Sequence, residues 1–61
     1  MTLAADIQYL REFAGMTRYD LARAMSWTET YIEQVEAGEV KPSAAMLDRL
    51  ATALGVEELK D

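Results

Sequence analysis

The chain contains no cysteine and no histidine among its 61 residues. Without cysteine it can form neither a disulfide framework nor a thiolate metal site, and nothing argues for an oxidising compartment. Histidine, the commonest general acid or base, is also missing. Neither Ser26 nor Ser43 has a base nearby in the sequence that could activate it as a nucleophile. The sequence therefore predicts a protein that is not an enzyme.

Long apolar runs are absent as well. No run approaches the length of about 20 residues that a membrane-spanning helix requires, and the N-terminus lacks the basic start of a signal peptide. The acidic residues do not have the spacing of a calcium-binding loop, and those at the C-terminal end are typical of solvated charge. We therefore expect a cytoplasmic protein without membrane contact, metal or cofactor.

Proline and glycine are scarce, with one proline and three glycines, and 51% of the residues are apolar. This composition is typical of a folded domain and not of a disordered chain. A chain of this size buries only about 60% of the surface that its unfolded form exposes. We therefore expect a single domain over residues 1–61, with a stability of only a few kcal/mol.

Apolar residues recur at helical spacing in four segments, and each segment follows a Thr or Ser that can act as an N-cap. The predicted helices cover residues 3–14, 18 to 25 or 26, 28 or 29 to 37, and 44–54. Val56 and Leu59 could add one further turn. The predicted apolar stripes are Leu3, Ile7, Leu10 and Ala14; Leu21, Ala22 and Met25; Tyr31, Ile32 and Val35; and Met46, Leu47, Leu50, Ala51 and Leu54. The sequence thus predicts a compact all-α bundle of four to five short helices.

The second and third predicted helices are separated only by Ser26, Trp27 and Thr28. Two short helices joined by a three-residue turn outline a helix-turn-helix unit, here over about residues 18–37. Gly38 and Pro42 mark its end, because glycine ends a helix in the left-handed conformation and proline prevents its continuation.

Five short motifs in this chain resemble the Cro/C1-type (XRE-type) helix-turn-helix domains of phage repressors and bacterial regulators. They are L-R-x-x-x-G-M-T from Leu10, D-L-A from Asp20, T-x-x-Y-I-x-x-V-E-x-G from Thr28, K-P-S from Lys41 and L-A-x-A-L-G-V from Leu50. The resemblance covers nearly all of the chain. It implies a lambda-repressor-like domain that binds a double-stranded DNA operator, normally as a homodimer, with the third helix in the major groove.

The resemblance also implies roles for eight side chains. The base-reading residues are Glu29, Thr30 and Gln34; the DNA-backbone residues are Arg18, Thr28 and Lys41; and Arg11 with Glu36 forms a structural ion pair between the first and third helices. A glutamine can bind adenine through both of its amide groups, and a glutamate can accept a hydrogen bond from the cytosine amino group. The other interpretation of these polar residues is an ordinary solvated helix face.

Two residues depart from the family pattern. Ser26 stands where the turn usually has glycine, which costs strain if its φ is positive. Trp27 stands where a small aliphatic residue is usual, so it must displace its neighbours or lie partly exposed. We expect Trp27, Tyr31 and Phe13 to pack in the core or at its edge, because stacking on single-stranded nucleic acid would need a basic groove.

Charge leaves two functions open, because eleven acidic residues against six basic ones give a net charge of −5. The first is a regulator that occupies an operator as a dimer. Its third helix reads bases and is held by the first and fourth helices. The end of the fourth helix, or the turn beyond it, makes the subunit contact. This function requires a positive rim from Arg18 and Lys41, with Arg23 as a third candidate. The alternative is an acidic protein-interaction module of the same fold (antitoxin-like, a co-regulator or an engineered scaffold) with weak or no DNA binding. Tyr9 and Tyr19 are candidates for a dimer or partner surface.

Overall fold

The computed structural model describes residues 2–57 and 59, and in them the chain forms four α-helices. The helices are α1 (Leu3–Phe13), α2 (Arg18–Met25), α3 (Glu29–Glu36) and α4 (Ala44–Leu54). The predicted all-α bundle is confirmed, and each helix ends within one residue of its predicted bounds. The further turn is not helical at Val56 or Leu59, and residues 58, 60 and 61 lie outside the described part. Within the described part, no helix is both long enough and apolar enough to span a membrane.

Each helix begins where a side-chain oxygen caps its first turn. The caps are Thr2, Thr17, Thr28 and Ser43, which accept hydrogen bonds at 3.0–3.3 Å from the backbone N–H three residues further on. In α2 the cap is reciprocal, because the backbone N–H of Thr17 also donates to Asp20 Oδ2 at 2.9 Å. These bonds satisfy N–H groups that have no partner within a helix. The four predicted N-caps are confirmed.

The capping box at the start of α2 makes part of the stability dependent on pH. The backbone N–H of Thr17, and then its hydroxyl, lower the pKa of Asp20 by hydrogen bonding to the carboxylate. A carboxyl group whose pKa is lower in the folded state stabilises the fold above its unfolded pKa of about 3.9, and this contribution is lost as the pH falls below that value.

We therefore expect Asp20→Asn to lower the melting temperature by a few degrees at neutral pH and by less below about pH 4. Thermal melts across this range check the prediction, with Asp48→Asn on the exposed side of α4 as the control. If the difference in melting temperature between wild type and Asp20→Asn is the same at every pH, the ionised Asp20 carboxylate does not stabilise the cap.

The core lies where the four helices meet. Its buried residues are Leu3, Ile7, Leu21, Ala22, Met25, Ile32, Val35, Leu50 and Leu54. The helix α3 packs against α1 and α2, whereas α4 packs chiefly against α2. Support of α3 by α1 is therefore as expected, and its most extensive packing is against α2. The consequence is that α3 is held along its apolar side by two helices.

Two predictions about burial in and after α1 are wrong. Ala14 is exposed as the C-cap of α1, and the buried residue near this end is Arg11. Phe13 is 80% exposed and does not reach the core; it stacks on Tyr9 with ring centroids 6.2 Å apart. The physical reason is helix geometry, because two residues turn the helix by about 200°. Phe13 therefore points away from the side on which Arg11 is buried.

The turn between α2 and α3 takes the left-handed conformation that the family pattern implies. Ser26 has φ 58° and ψ 37°, and the next N–H, that of Trp27, donates to the carbonyl of Ala22 at 2.8 Å. Trp27 is half-buried and meets Tyr31 edge to face, with ring centroids 4.6 Å apart. The prediction that Trp27 lies partly exposed at the edge of the core is confirmed.

Ser26→Gly is expected to stabilise the domain by about 1 kcal/mol, because an L-residue in the left-handed region carries a steric cost that glycine does not. In a domain of this size that corresponds to a rise in melting temperature of about 4–8 °C. The matched control is Ser43→Gly, at an N-cap with φ −69°, where the change should cost a few tenths of a kcal/mol. A melting temperature that falls in both variants would show that Ser26 is not strained.

Candidate nucleic-acid interface

The helix α3 is amphipathic, and its polar edge faces solvent. Ile32 and Val35 are 0% and 2% exposed and fix the helix to the core. On the other side Glu29 and Thr30 are exposed and Gln34 is half-buried. Thr30 and Gln34 are four residues apart, so their side chains are neighbours along the helix. The structure thus brings the three candidate base-reading residues onto one accessible edge.

Thr28 lies at the N-terminus of α3 and is also exposed. Its hydroxyl oxygen accepts the N–H of Tyr31 at 3.1 Å, which is the capping bond. A hydroxyl group keeps one hydrogen to donate when its oxygen accepts. Thr28 can therefore cap α3 and donate to a phosphate oxygen at the same time.

Arg11 of α1 and Glu36 of α3 form a bidentate ion pair. Arg11 Nε donates to Glu36 Oε2 at 2.6 Å and Nη2 donates to Oε1 at 3.2 Å. Only 8% of the Arg11 side chain and 2% of the Glu36 side chain are exposed. The hydrogen bond to Glu36 is the main cause that raises the pKa of Arg11. Arg11 Nη1 also donates to the carbonyl of Met16 at 2.9 Å, so the pair joins α1, α3 and the α1–α2 loop.

Arg18 makes a contact that sequence reasoning missed. It is the first residue of α2, and its Nε donates to Glu36 Oε1 at 3.2 Å, while 44% of its side chain is exposed. No short-range spacing pointed to this contact, because 18 residues separate the two partners and only the packing of α2 on α3 brings them together. Arg18 is thus both a candidate for phosphate contact and a partner of a buried carboxylate.

The other candidate cations differ in their surroundings. Lys41 is exposed in the loop that follows α3. The Arg23 guanidinium lies 5.7 Å from the centre of the Tyr19 ring on the same helix, a cation–π contact that gives exposed Tyr19 a partner within the chain. The helix α3 itself carries three glutamates and no basic residue. Of the candidate phosphate-binding cations, Arg18 thus stands at the N-terminus of α2 and Lys41 in the loop after α3.

The comparisons with known proteins agree with this geometry. The model of a family described as a helix-turn-helix domain matches residues 2–60. The chain belongs to this helix-turn-helix family. No curated protein sequence is a significant match to this chain.

Several solved structures of regulators are similar to this domain. The clp gene regulator ClgR from C. glutamicum is 29% identical with a TM-score of 0.87, over 90% of this chain and 70% of that one. The restriction-modification controller protein C.AhdI from Aeromonas hydrophila is 29% identical with a TM-score of 0.85, over 90% and 83%. The hypothetical transcription factor NHTF from Neisseria is 30% identical with a TM-score of 0.82, over 88% and 62%.

These findings confirm the resemblance to Cro/C1-type domains and the lambda-repressor-like fold. The helix-turn-helix family and its structural neighbours are transcription regulators and not enzymes. The chain spans 62% of the length of the Neisseria protein.

Proposed function

We propose that this helix-turn-helix domain is a sequence-specific, DNA-binding transcriptional regulator that reads an operator through α3 in the major groove. The observation that carries the proposal is the exposed polar edge of α3, with Glu29, Thr30 and Gln34 in reach of a ligand. The opposite side of the same helix is fixed by Ile32 and Val35. A helix held in this way can enter the groove as a rigid body, which is how helix-turn-helix proteins dock.

The chemistry of this edge suits bases. Gln34 has a donor and an acceptor for the adenine edge, and Glu29 accepts from the cytosine amino group. Thr30 offers a hydroxyl to either kind of base and a methyl group to thymine. Each well-formed bidentate contact is worth about 1–3 kcal/mol of discrimination against the wrong base. These three side chains can therefore specify a short site.

Binding strength would come from the DNA backbone. Arg18, Thr28 and Lys41 supply the side-chain contacts in this proposal, and the first N–H groups of α2 and α3 supplement them, because helix N-termini attract anions. With few cations near α3 and a net charge of −5, few phosphates are neutralised. We therefore expect weak non-specific affinity and a shallow dependence on salt. A homodimer, joined near the end of α4, would double the number of bases read.

Gln34→Ala and Lys41→Ala are expected to separate sequence reading from backbone binding. Gln34→Ala should change the preferred base at one or two positions, since it removes a base contact. Lys41→Ala should keep the preferred sequence and weaken binding to all duplexes alike. The plot of log K against log salt concentration should become less steep, by about 0.9. Selection by each variant from one random duplex library, followed by titrations at several salt concentrations, checks this. Identical behaviour of the two variants would contradict the assigned roles.

A second candidate function is the acidic protein-interaction module. It is favoured by the net charge of −5 and by the exposed aromatic pair Tyr9–Phe13, of which 60% and 80% are accessible. This pair lies on the solvent-exposed side of α1. A domain that binds no duplex at low salt, but loses binding to a protein partner on Phe13→Ala, would have this second function.

A further inference from the structure

The carboxylate of Glu36 accepts hydrogen bonds from two arginines, Arg11 and Arg18. Its Oε2 accepts from Arg11 Nε at 2.6 Å, and its Oε1 accepts both from Arg11 Nη2 and from Arg18 Nε, each at 3.2 Å. Arg11 is buried beside Glu36, whereas 44% of the Arg18 side chain is exposed. The exposed Glu12 carboxylate also lies 3.8 Å from Arg11 Nη2, so the whole cluster contains two guanidinium groups and two carboxylates. Arg11 forms ion pairs with both carboxylates, whereas Arg18 pairs with Glu36 and its side chain is partly exposed.

The guanidinium group of Arg18 is only partly used. Within residues 2–57 and 59, its side chain forms hydrogen bonds through Nε alone. The two terminal nitrogens, Nη1 and Nη2, carry four of the five N–H donors of the group. Two parallel N–H bonds from such a fork match the geometry of phosphate oxygens. Arg18 is also the first residue of α2, where the helix N-terminus favours an anion.

We propose that Glu36 is a positioning residue for DNA-backbone binding: it holds Nε of Arg18 so that Nη1 and Nη2 bind one phosphate. This inference rests on the proposed function and deepens it. A free arginine side chain loses much rotamer freedom when it binds, and Glu36 removes part of that loss in the unbound protein. Because the same carboxylate joins α1 to α3, it also fixes the phosphate contact relative to the helix that reads bases.

Lysine in place of Arg18 tests the inference, because lysine keeps the charge but has no Nε–Nη fork. A lysine ammonium group can bind either the Glu36 carboxylate or the phosphate. The carboxylate cannot hold it in place for the phosphate, because lysine has no separate nitrogen for each contact. We expect Arg18→Lys and Arg18→Ala each to weaken binding to a mixed-sequence duplex of about 20 base pairs roughly tenfold, at about 50 mM salt. The steepness of log K against log salt concentration should fall by about 0.9 in Arg18→Ala and stay unchanged in Arg18→Lys.

The matched control is Arg49→Lys, since Arg49 lies on α4 and its Nη2 donates to the carbonyl of Met25. This control should bind the duplex as wild type does. If Arg18→Lys also binds as wild type does, Arg18 acts as a simple charge and the inference is overturned while the proposed function stands. If wild type binds no duplex at all, the proposed function fails and the inference fails with it.

A measurement on the unaltered chain gives a second test that does not depend on how a variant folds. The Nε–H proton of Arg18, observed by NMR, should be protected from solvent exchange in the free protein and should keep that protection when the duplex is added. Loss of the protected signal on binding would show that Arg18 leaves Glu36 to reach DNA. That result would overturn the positioning role and would leave the phosphate contact itself in place.

Discussion

Glu36→Ala is expected to destabilise the domain by about 3–5 kcal/mol, because removing one partner of a buried ion pair leaves the other charge uncompensated. Here the stranded group is the Arg11 guanidinium, of whose side chain only 8% is exposed. The loss is comparable to the whole stability of a chain of this size, which is a few kcal/mol. The variant should therefore be largely unfolded at 25 °C or close to its unfolding midpoint.

The matched control for Glu36 lies on the same helix. Glu33 is exposed, and Glu33→Ala should change stability by no more than about 0.5 kcal/mol, as is usual at surface positions. Urea unfolding followed by circular dichroism compares the two variants under one set of conditions. Equal unfolding midpoints would mean that the Arg11–Glu36 pair contributes nothing that an exposed glutamate does not.

Ile32→Ala is the second change with a large expected effect. Ile32 is 0% exposed at the centre of the apolar side of α3. Truncating a buried isoleucine to alanine costs about 2–5 kcal/mol through lost transfer free energy and the cavity left behind. Because this side chain also fixes α3 to its neighbours, duplex binding should weaken together with stability.

Phe13→Ala is the control for this truncation, and it removes a larger apolar side chain. Phe13 is 80% exposed, so we expect a change of at most about 0.5 kcal/mol. Thermal or urea unfolding of both variants gives the comparison. If Phe13→Ala costs as much as Ile32→Ala, the Tyr9–Phe13 pair has a structural role that its exposure does not suggest.

Much of the fold could be predicted from the sequence because its determinants are local. An N-cap hydroxyl such as that of Thr17 acts three residues away, and the apolar spacing of α2 and α4 identifies their buried sides directly. Helix boundaries follow from such short-range rules. The left-handed turn at Ser26 could be expected only from the family pattern, since serine itself does not favour a positive φ.

The wrong prediction for Phe13 and the missed contact of Arg18 have a common cause. The spacing of residues along one helix does not determine how that helix packs against the others. Phe13 is apolar, but the orientation of α1 leaves it in solvent. Arg18 is charged, but its place beside Glu36 depends on how α2 crosses α3. The candidate base-reading residues came from the family resemblance. The structure adds that their edge of α3 is accessible.

The acidity of α3 bears directly on the proposed function. Its three glutamates are Glu29, Glu33 and Glu36, of which Glu36 is neutralised within the protein by two arginines. Glu29 and Glu33 face solvent and repel phosphates wherever they make no base contact. Under the proposed function, binding would therefore depend on matched bases more than on general attraction to DNA.

Selection by the wild-type domain from a random duplex library at about 50 mM salt tests the central claim most directly. If α3 reads bases and two copies pair on DNA, the recovered sequences should share a motif of two inverted half-sites, centred about one helical turn, or 10 base pairs, apart. Arg18→Ala should recover the same motif with less enrichment. Recovered sequences no different from the starting library would contradict the claim that this domain reads an operator.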